Sequence, residues 1–95
     1  MKLRFSREAD ADLDRIYFDS AISFGIHQAD AYRDGLLDSL RFISEHPYAV
    51  QERKDFRRPV RVHPYEAHAI AYLIDDEGVF VVRVVHSRRD LKDLL

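Results

Sequence analysis

Two short apolar runs held apart by an acidic turn, His68 to Ile74 and Val79 to Val85, constrain the fold of this chain more than any other feature. They read His-Ala-Ile-Ala-Tyr-Leu-Ile and Val-Phe-Val-Val-Arg-Val-Val. Both are rich in β-branched and aromatic side chains and too short for helices, so each is expected to be a strand. Asp75-Asp76-Glu77-Gly78 joins them. Gly78 can take the left-handed conformation and marks the corner of a hairpin loop of about three or four residues. The second strand alternates Val84 and His86 on one face with Arg83 and Val85 on the other, then runs into Ser87-Arg88-Arg89-Asp90.

Upstream, the periodicity changes from two to three or four. Leu3-Arg4-Phe5 reads as a first strand, and Ser6 is an N-cap whose helix carries Glu8 and Asp10 at the positive end of its dipole. Ala9, Leu13, Ile16, Tyr17, Ser20 and Phe24 recur at helical spacing, and Gly25 ends the run. A second helix from Ile26 carries Ala29, Tyr32, Leu36, Leu40 and Ile43 on one face. It must stop at His46, because Pro47 disfavours helical geometry in the residue before it. Phe18, Ile22, Leu37 and Phe42 lie off these stripes, where they either widen the core face or line a groove for a partner.

The segment from Tyr48 to Pro59 has no clear period and reads as a loop, followed by a strand containing Val60, Val62 and Tyr65. Pro64 cannot donate to a ladder and belongs at a sheet edge or a bulge. The order β-α-α-β-β-β, without repeats or linkers, predicts one α+β domain over residues 1–95, an antiparallel sheet with a helical hairpin on one face.

Composition narrows the chemistry. The chain has no cysteine, which excludes disulfides, thiolate metal sites and a Cys nucleophile and fits a reducing cytoplasm. No apolar run approaches a membrane span, and Met1-Lys2-Leu3-Arg4-Phe5 lacks the apolar stretch of a signal peptide. His63 and His68, at odd spacing, would lie on opposite faces of a regular strand, so neither a metal nor another cofactor is expected. A net charge of -2 conceals a basic stretch, Arg53, Lys54, Arg57, Arg58 and Arg61, broken by Asp55 among charged residues. That local excess is too small for a protein that tracks a nucleic-acid groove, so direct DNA binding is not expected. Solvated loop charges compete with contact to an acidic partner or an RNA backbone.

Pro64-Tyr65-Glu66-Ala67-His68 before an Ile-Ala-Tyr strand, the acidic turn, the Val-rich strand bearing Arg83, and His86-Ser87-Arg88-Arg89-Asp90 together resemble the ParE-type toxins of the ParE/RelE superfamily. Leu3-Arg4-Phe5-Ser6 and the Ala/Asp/Leu helix after it are similar as well, so the resemblance spans essentially the whole chain. It implies the toxin of a type II toxin–antitoxin system, neutralised by a ParD-like ribbon-helix-helix antitoxin that alone contacts DNA. DNA gyrase is the implied target. Coupled folding of an antitoxin segment onto the toxin predicts contacts at Leu13, Tyr17, Phe24, Leu36, Leu40, Arg57, Arg58 and Tyr65. Arg83, His86, Arg88 and Arg89 are expected to meet the target, while Leu91, Leu94 and Leu95 form a short apolar turn against the domain.

The RelE branch implies an alternative, ribosome-dependent mRNA cleavage, which needs an acid, a base and cations in one cleft. Glu66 or His63 would be the base, Arg61 and Arg83 the phosphate ligands, His86 the acid, and Tyr65 or Tyr72 the stacking platform. No tyrosine follows Tyr72 and no lysine lies between Lys54 and Lys92, positions that several endonuclease relatives use. Gyrase poisoning, without an enzymatic step, is therefore the favoured reading, and a toxin-like interaction module without activity is a further alternative.

Overall fold

A computed structural model describes residues 1–95. Strand β1 (Leu3–Phe5) leads into helices α1 (Arg7–Phe24) and α2 (Ile26–Glu45). Strands β2 (Glu52–Arg53), β3 (Val60–Tyr65), β4 (His68–Asp75) and β5 (Gly78–His86) follow, and a short helix α3 (Leu91–Leu94) comes last. The sheet order is β1-β5-β4-β3-β2. The α+β architecture and the helical hairpin agree with the sequence. The sheet is not wholly antiparallel, because β1 runs parallel to β5, with Leu3 opposite Val79 and Phe5 opposite Val81. A three-residue edge strand carries no periodicity from which direction can be read, and β2 is shorter still.

The hairpin corner is tighter than expected. Asp75 pairs with Gly78 across a loop of Asp76 and Glu77, and the Glu77 N–H donates to Asp75 Oδ1 at 2.9 Å. Gly78 sits at φ 124°, and a Cβ there would meet the Lys2 carbonyl oxygen at 2.5 Å. Glycine is thus required twice, by the turn and by the approach of the segment before β1, whose Lys2 carbonyl accepts the Val79 N–H at 2.8 Å. At the opposite end of β4, Glu66 takes φ 49° in the turn between β3 and β4. A side chain other than Gly or Asn is strained there. That turn also corrects the placement of the histidines. It reverses the chain between His63 and His68, so His63, opposite core Ile70, and His68 both face the helices.

The core lies between the hairpin and the sheet. Ala9, Leu36, Leu40 and Ile43 interlock with Ile70, Tyr72, Val79, Val81 and Val84, all nearly inaccessible to solvent. Val81 and Val84 share a face although they are three apart, because Tyr72 pairs with Val81 and Ala71 with Arg83, leaving Val82 as the extra residue of a bulge. Tyr72 donates its hydroxyl to the Pro47 carbonyl at 2.8 Å, pinning the end of the hairpin connection to the sheet. Tyr65 lies directly over Gly35, where a Cβ would fall 1.7 Å from its hydroxyl, so a larger residue there would have to displace the Tyr65 ring. Pro64 pairs only with Ala69, on the stretch of β3 that β2 does not cover, which is the edge position expected of it.

Helix α1 is fastened to β5 by a buried acid. Ser6 caps the helix, its Oγ accepting the Ala9 N–H at 2.9 Å and donating to the Val82 carbonyl at 2.6 Å. Two turns on, Asp12 is 3% exposed and accepts three hydrogen bonds, from Arg83 Nε at 2.8 Å, Arg83 Nη2 at 2.9 Å and the Val84 N–H at 2.9 Å. The carboxylate therefore takes over the β5 edge where β1 stops. It also holds the Arg83 guanidinium in its charged form, raising its pKa.

Two outcomes test this account. Asp12→Ala should lower the unfolding free energy by about 3–5 kcal/mol in urea titration, since it strands a partly buried cation, whereas the Asp12→Leu/Arg83→Met double variant should cost less than Asp12→Ala alone. Gly78→Ala should lower the melting temperature by about 10 °C, as a strained, clashing turn costs about 2 kcal/mol, while Glu66→Asn should raise it by about 4 °C through relief of the left-handed strain.

Candidate functional site

Three surfaces carry the residues that the sequence singles out. The first is the outer groove of the helical hairpin, about 210 Å³, lined by Leu13, Tyr17, Phe18, Leu36 and Leu37 among others. Tyr17 is set there by its hydroxyl, which donates to Asp30 Oδ1 at 2.7 Å, and by Arg33, whose guanidinium lies 4.7 Å over its ring. The carboxylate beside the Tyr17 hydroxyl raises its pKa. Phe18 in its lining is 65% exposed, and Ile22, Phe24 and Ile26 about the turn between the helices are 83%, 66% and 65% exposed, Phe24 lining the third surface described below. Phe24 departs from the core stripe assigned to it because α1, about 27 Å long at 1.5 Å per residue, ends in a turn whose apolar side chain the core leaves uncovered.

Of the eight expected antitoxin contacts, Leu13, Tyr17 and Leu36 line this groove. Leu36 and Leu40 are only 1% and 2% exposed and serve chiefly as core, so Leu40 is not free to receive a partner. Tyr65 is half-buried between Gly35 and Tyr32, whose ring centroid lies at 5.2 Å. Arg57 and Arg58 are elsewhere. They line the second surface with Phe80, Val82, Arg83, Leu94 and Leu95. Phe80 alternates with core residues Val79 and Val81, so this pocket opens on the sheet face turned away from the hairpin. Leu91, Leu94 and Leu95 are all partly covered, in keeping with an apolar turn packed back on the chain.

The third surface is a cleft of about 490 Å³ between α1, α2, the β3–β4 turn and the end of β5. Tyr32, His68, His86, Arg15, Asp19 and Arg89 contribute its polar lining. Tyr32 Oη and His68 Nδ1 share a hydrogen bond of 2.6 Å, and the His68 and His86 rings meet edge to face at 5.5 Å. Burial, then the neighbouring His86, holds the His68 pKa below the ordinary histidine value, and burial raises that of Tyr32.

The structure does not bring the proposed nuclease set together. Arg61 is opposite Tyr72 and Arg83 opposite Ala71, adjacent residues of β4 that point to opposite faces. Arg61 donates to the Val50 carbonyl and lies 5.1 Å over the Tyr48 ring. Arg83 lies on the outer sheet face and is engaged by Asp12. Glu66 sits in its turn, His63 packs against Phe42 at 5.7 Å, and Tyr72 is too deeply buried to stack on a base. Burial lowers the His63 pKa. Of the expected target contacts, His86 and Arg88 are exposed, Arg89 is exposed at the rim of the cleft, and Arg83 is largely covered. The sequence reading missed Asp12, although its position carries a signal. It lies three residues after Ala9 and four before Ile16, so an acid interrupts an apolar helical stripe.

The profile of the ParE toxin of type II toxin–antitoxin systems, parDE, matches residues 3–91. Toxin ParE1 of Caulobacter vibrioides is 34% identical over 84 residues, covering 88% of this chain and 86% of that protein. Toxin ParE3 of the same organism is 24% identical over 86 residues, or 90% of this chain and 86% of that one. The fold is that of a chain of the chromosomal ParDE system from P. aeruginosa, with a TM-score of 0.78, 18% identity, and coverage of 90% of this chain and 95% of the other. The chain belongs to the ParE toxin family of type II toxin–antitoxin systems.

Proposed function

We propose that this toxin poisons DNA gyrase and is held inactive by a ParD-like ribbon-helix-helix antitoxin whose flexible segment folds over the helical hairpin. The exposed Phe18 and Leu37 in the lining of a preformed groove, with Ile22, Phe24 and Ile26 exposed about the turn between α1 and α2, carry the antitoxin half of this reading. Such exposed apolar surface on a 95-residue chain is a large solvation cost unless a partner covers it. The partner segment that fits is amphipathic, with apolar side chains spaced to enter between α1 and α2.

The gyrase half is supported by the dispersal of the nuclease candidates. Ribonucleolysis needs its acid, base and phosphate ligands around one phosphodiester, whereas Arg61 and Arg83 are each committed to structural partners on opposite sheet faces. Contact with a large target falls instead to the exposed cations at the end of β5, Arg88 and Arg89, and to the unpaired Arg57 and Arg58 across the sheet.

Purified toxin should inhibit supercoiling by gyrase and accumulate cleaved DNA, and leave mRNA intact in a translating extract. Codon-dependent mRNA cleavage with unperturbed supercoiling would establish the endonuclease alternative. Phe18→Asp with Leu37→Asp should weaken binding of the co-expressed antitoxin by about a hundredfold in calorimetry, as two apolar anchors are worth about 1–2 kcal/mol each. The melting temperature should hold, because both side chains are exposed. Arg88→Ala with Arg89→Ala should abolish growth arrest at equal expression while leaving antitoxin affinity within about threefold, a change of under 1 kcal/mol.

A further inference from the structure

The charges of this chain are sorted by element. The helical hairpin, residues 7–45, holds nine carboxylates against four arginines, whereas the rest of the chain holds eight against eleven lysines and arginines. The acids fall in rows that a free helix resists. Asp10 and Asp14 of α1 are four residues apart, as are Asp30, Asp34 and Asp38 in turn along α2, and like charges at that spacing destabilise a helix. The hairpin's own cations answer only part of this. Arg33 lies 3.5 Å from Asp30 and over the Tyr17 ring, Arg41 lies 2.8 Å from Asp38, and Arg15 faces the cleft and Asp12. Only Arg7, in the first turn of α1, is uncommitted. Asp10, Asp14 and Asp34 are exposed and have no cationic partner.

These three acids border the groove between α1 and α2. Asp14 lines it one turn before Phe18, Asp10 extends the same row by a further turn, and Asp34 stands three residues before Leu37. Phe18 and Leu37, 65% and 45% exposed, are the uncovered apolar side chains of its lining. Each therefore has an unpaired carboxylate on the neighbouring turn. A purely apolar occupant would draw these carboxylates out of water with nothing in return, and an acidic one would add repulsion. The hairpin of a second copy carries the same acids, so a symmetric pairing through this face is opposed as well.

We propose that the segment seated in this groove is cationic as well as apolar, with lysine or arginine one turn from its anchors to meet Asp10 and Asp14 along α1 and Asp34 on α2. The proposal rests on the antitoxin reading of the groove given above and adds the charge of the partner segment. Lysine and arginine suit the geometry, since their stems can lie along Phe18 and Leu37 while their heads reach the carboxylates in water. Such pairs set the register of the segment and the rate of encounter.

The test is calorimetry of the whole chain with its co-expressed antitoxin at about 50 and about 300 mM NaCl, a range over which exposed ion pairs become screened. The parent affinity should fall about fivefold between the two. Asp10→Asn with Asp14→Asn and Asp34→Asn should bind about tenfold more weakly at the lower salt, as expected of three exposed ion pairs, and lose most of the salt dependence. Its melting temperature should hold, because the change removes repulsion within α1 and α2. Glu52→Gln with Asp76→Asn and Asp93→Asn removes as many exposed acids outside the hairpin and should bind like the parent. The Phe18→Asp/Leu37→Asp variant separates this proposal from the reading it rests on. If that variant binds like the parent, the segment lies elsewhere and both fall. If it binds weakly while the triple Asn variant matches the parent in affinity and salt slope, the groove stands and the cationic segment is overturned. A triple Asn variant that binds more tightly than the parent would identify an acidic occupant and overturn it equally.

Discussion

Asp12 is the contact on which the arrangement of this protein depends. It is a charge placed in a helix stripe otherwise given to apolar residues, and it is tolerable there because it accepts three hydrogen bonds, two of them from a paired guanidinium. Its carboxylate joins an early helix to the last strand, across 71 and 72 residues of sequence. Hydrophobic burial alone would let α1 slide or rotate over a sheet face made mostly of valine and isoleucine, since apolar contact is non-directional. The Asp12 triad gives the docking a register. With Ser6 it seats the start and second turn of α1 against Val82, Arg83 and Val84, beside the bulge at Val82.

Much of this was readable in the residues. Ser6, Gly25 and Pro47 delimit two helices whose inward stripe, Ala9 on α1 and Ala29, Leu36, Leu40 and Ile43 on α2, is buried as spacing requires. Gly78 marks the corner of the last hairpin, and Pro64 sits on an uncovered edge. What was not readable is non-local. The parallel direction of β1 follows from where the helices deliver the chain, and the bulge at Val82 from fitting β5 between β1 and β4. Neither leaves a mark in a window of a few residues.

The candidate site shows the same division. Sequence identified the cations but not what they are for, because an arginine on a strand has no local sign of whether it meets solvent, a target or a buried acid. Arg83 was assigned to the target surface and is a structural ion-pair partner. Arg57 and Arg58 were grouped with Leu13 and Tyr17 as one antitoxin surface, and the fold separates them across the sheet. Phe18, Ile22 and Leu37, by contrast, were legible as surplus, because they fall off the core stripe, and they are exposed. The hairpin side is thus apolar and grooved, and the far side of the sheet cationic, so the two surfaces call for chemically different partners.

The edges of the sheet limit how any partner can attach. On one side β1 covers β5 for three residues, and then Ser6 and Asp12 occupy the Val81 and Val82 carbonyls and the Val84 N–H. On the other side β2 covers Val60 and Arg61, leaving Val62 to Tyr65 as open edge, in which Pro64 has no donor. A binding segment that extended the sheet by main-chain pairing would find only three residues of rim on β1 and a β3 rim interrupted at its third open residue. Recognition of this protein is thereby pushed onto side-chain complementarity, which distinguishes one cognate segment from another, where backbone pairing, common to all sequences, would not. The outer rims are short, three residues on β1 and two on β2, which disfavours edge-to-edge stacking of copies.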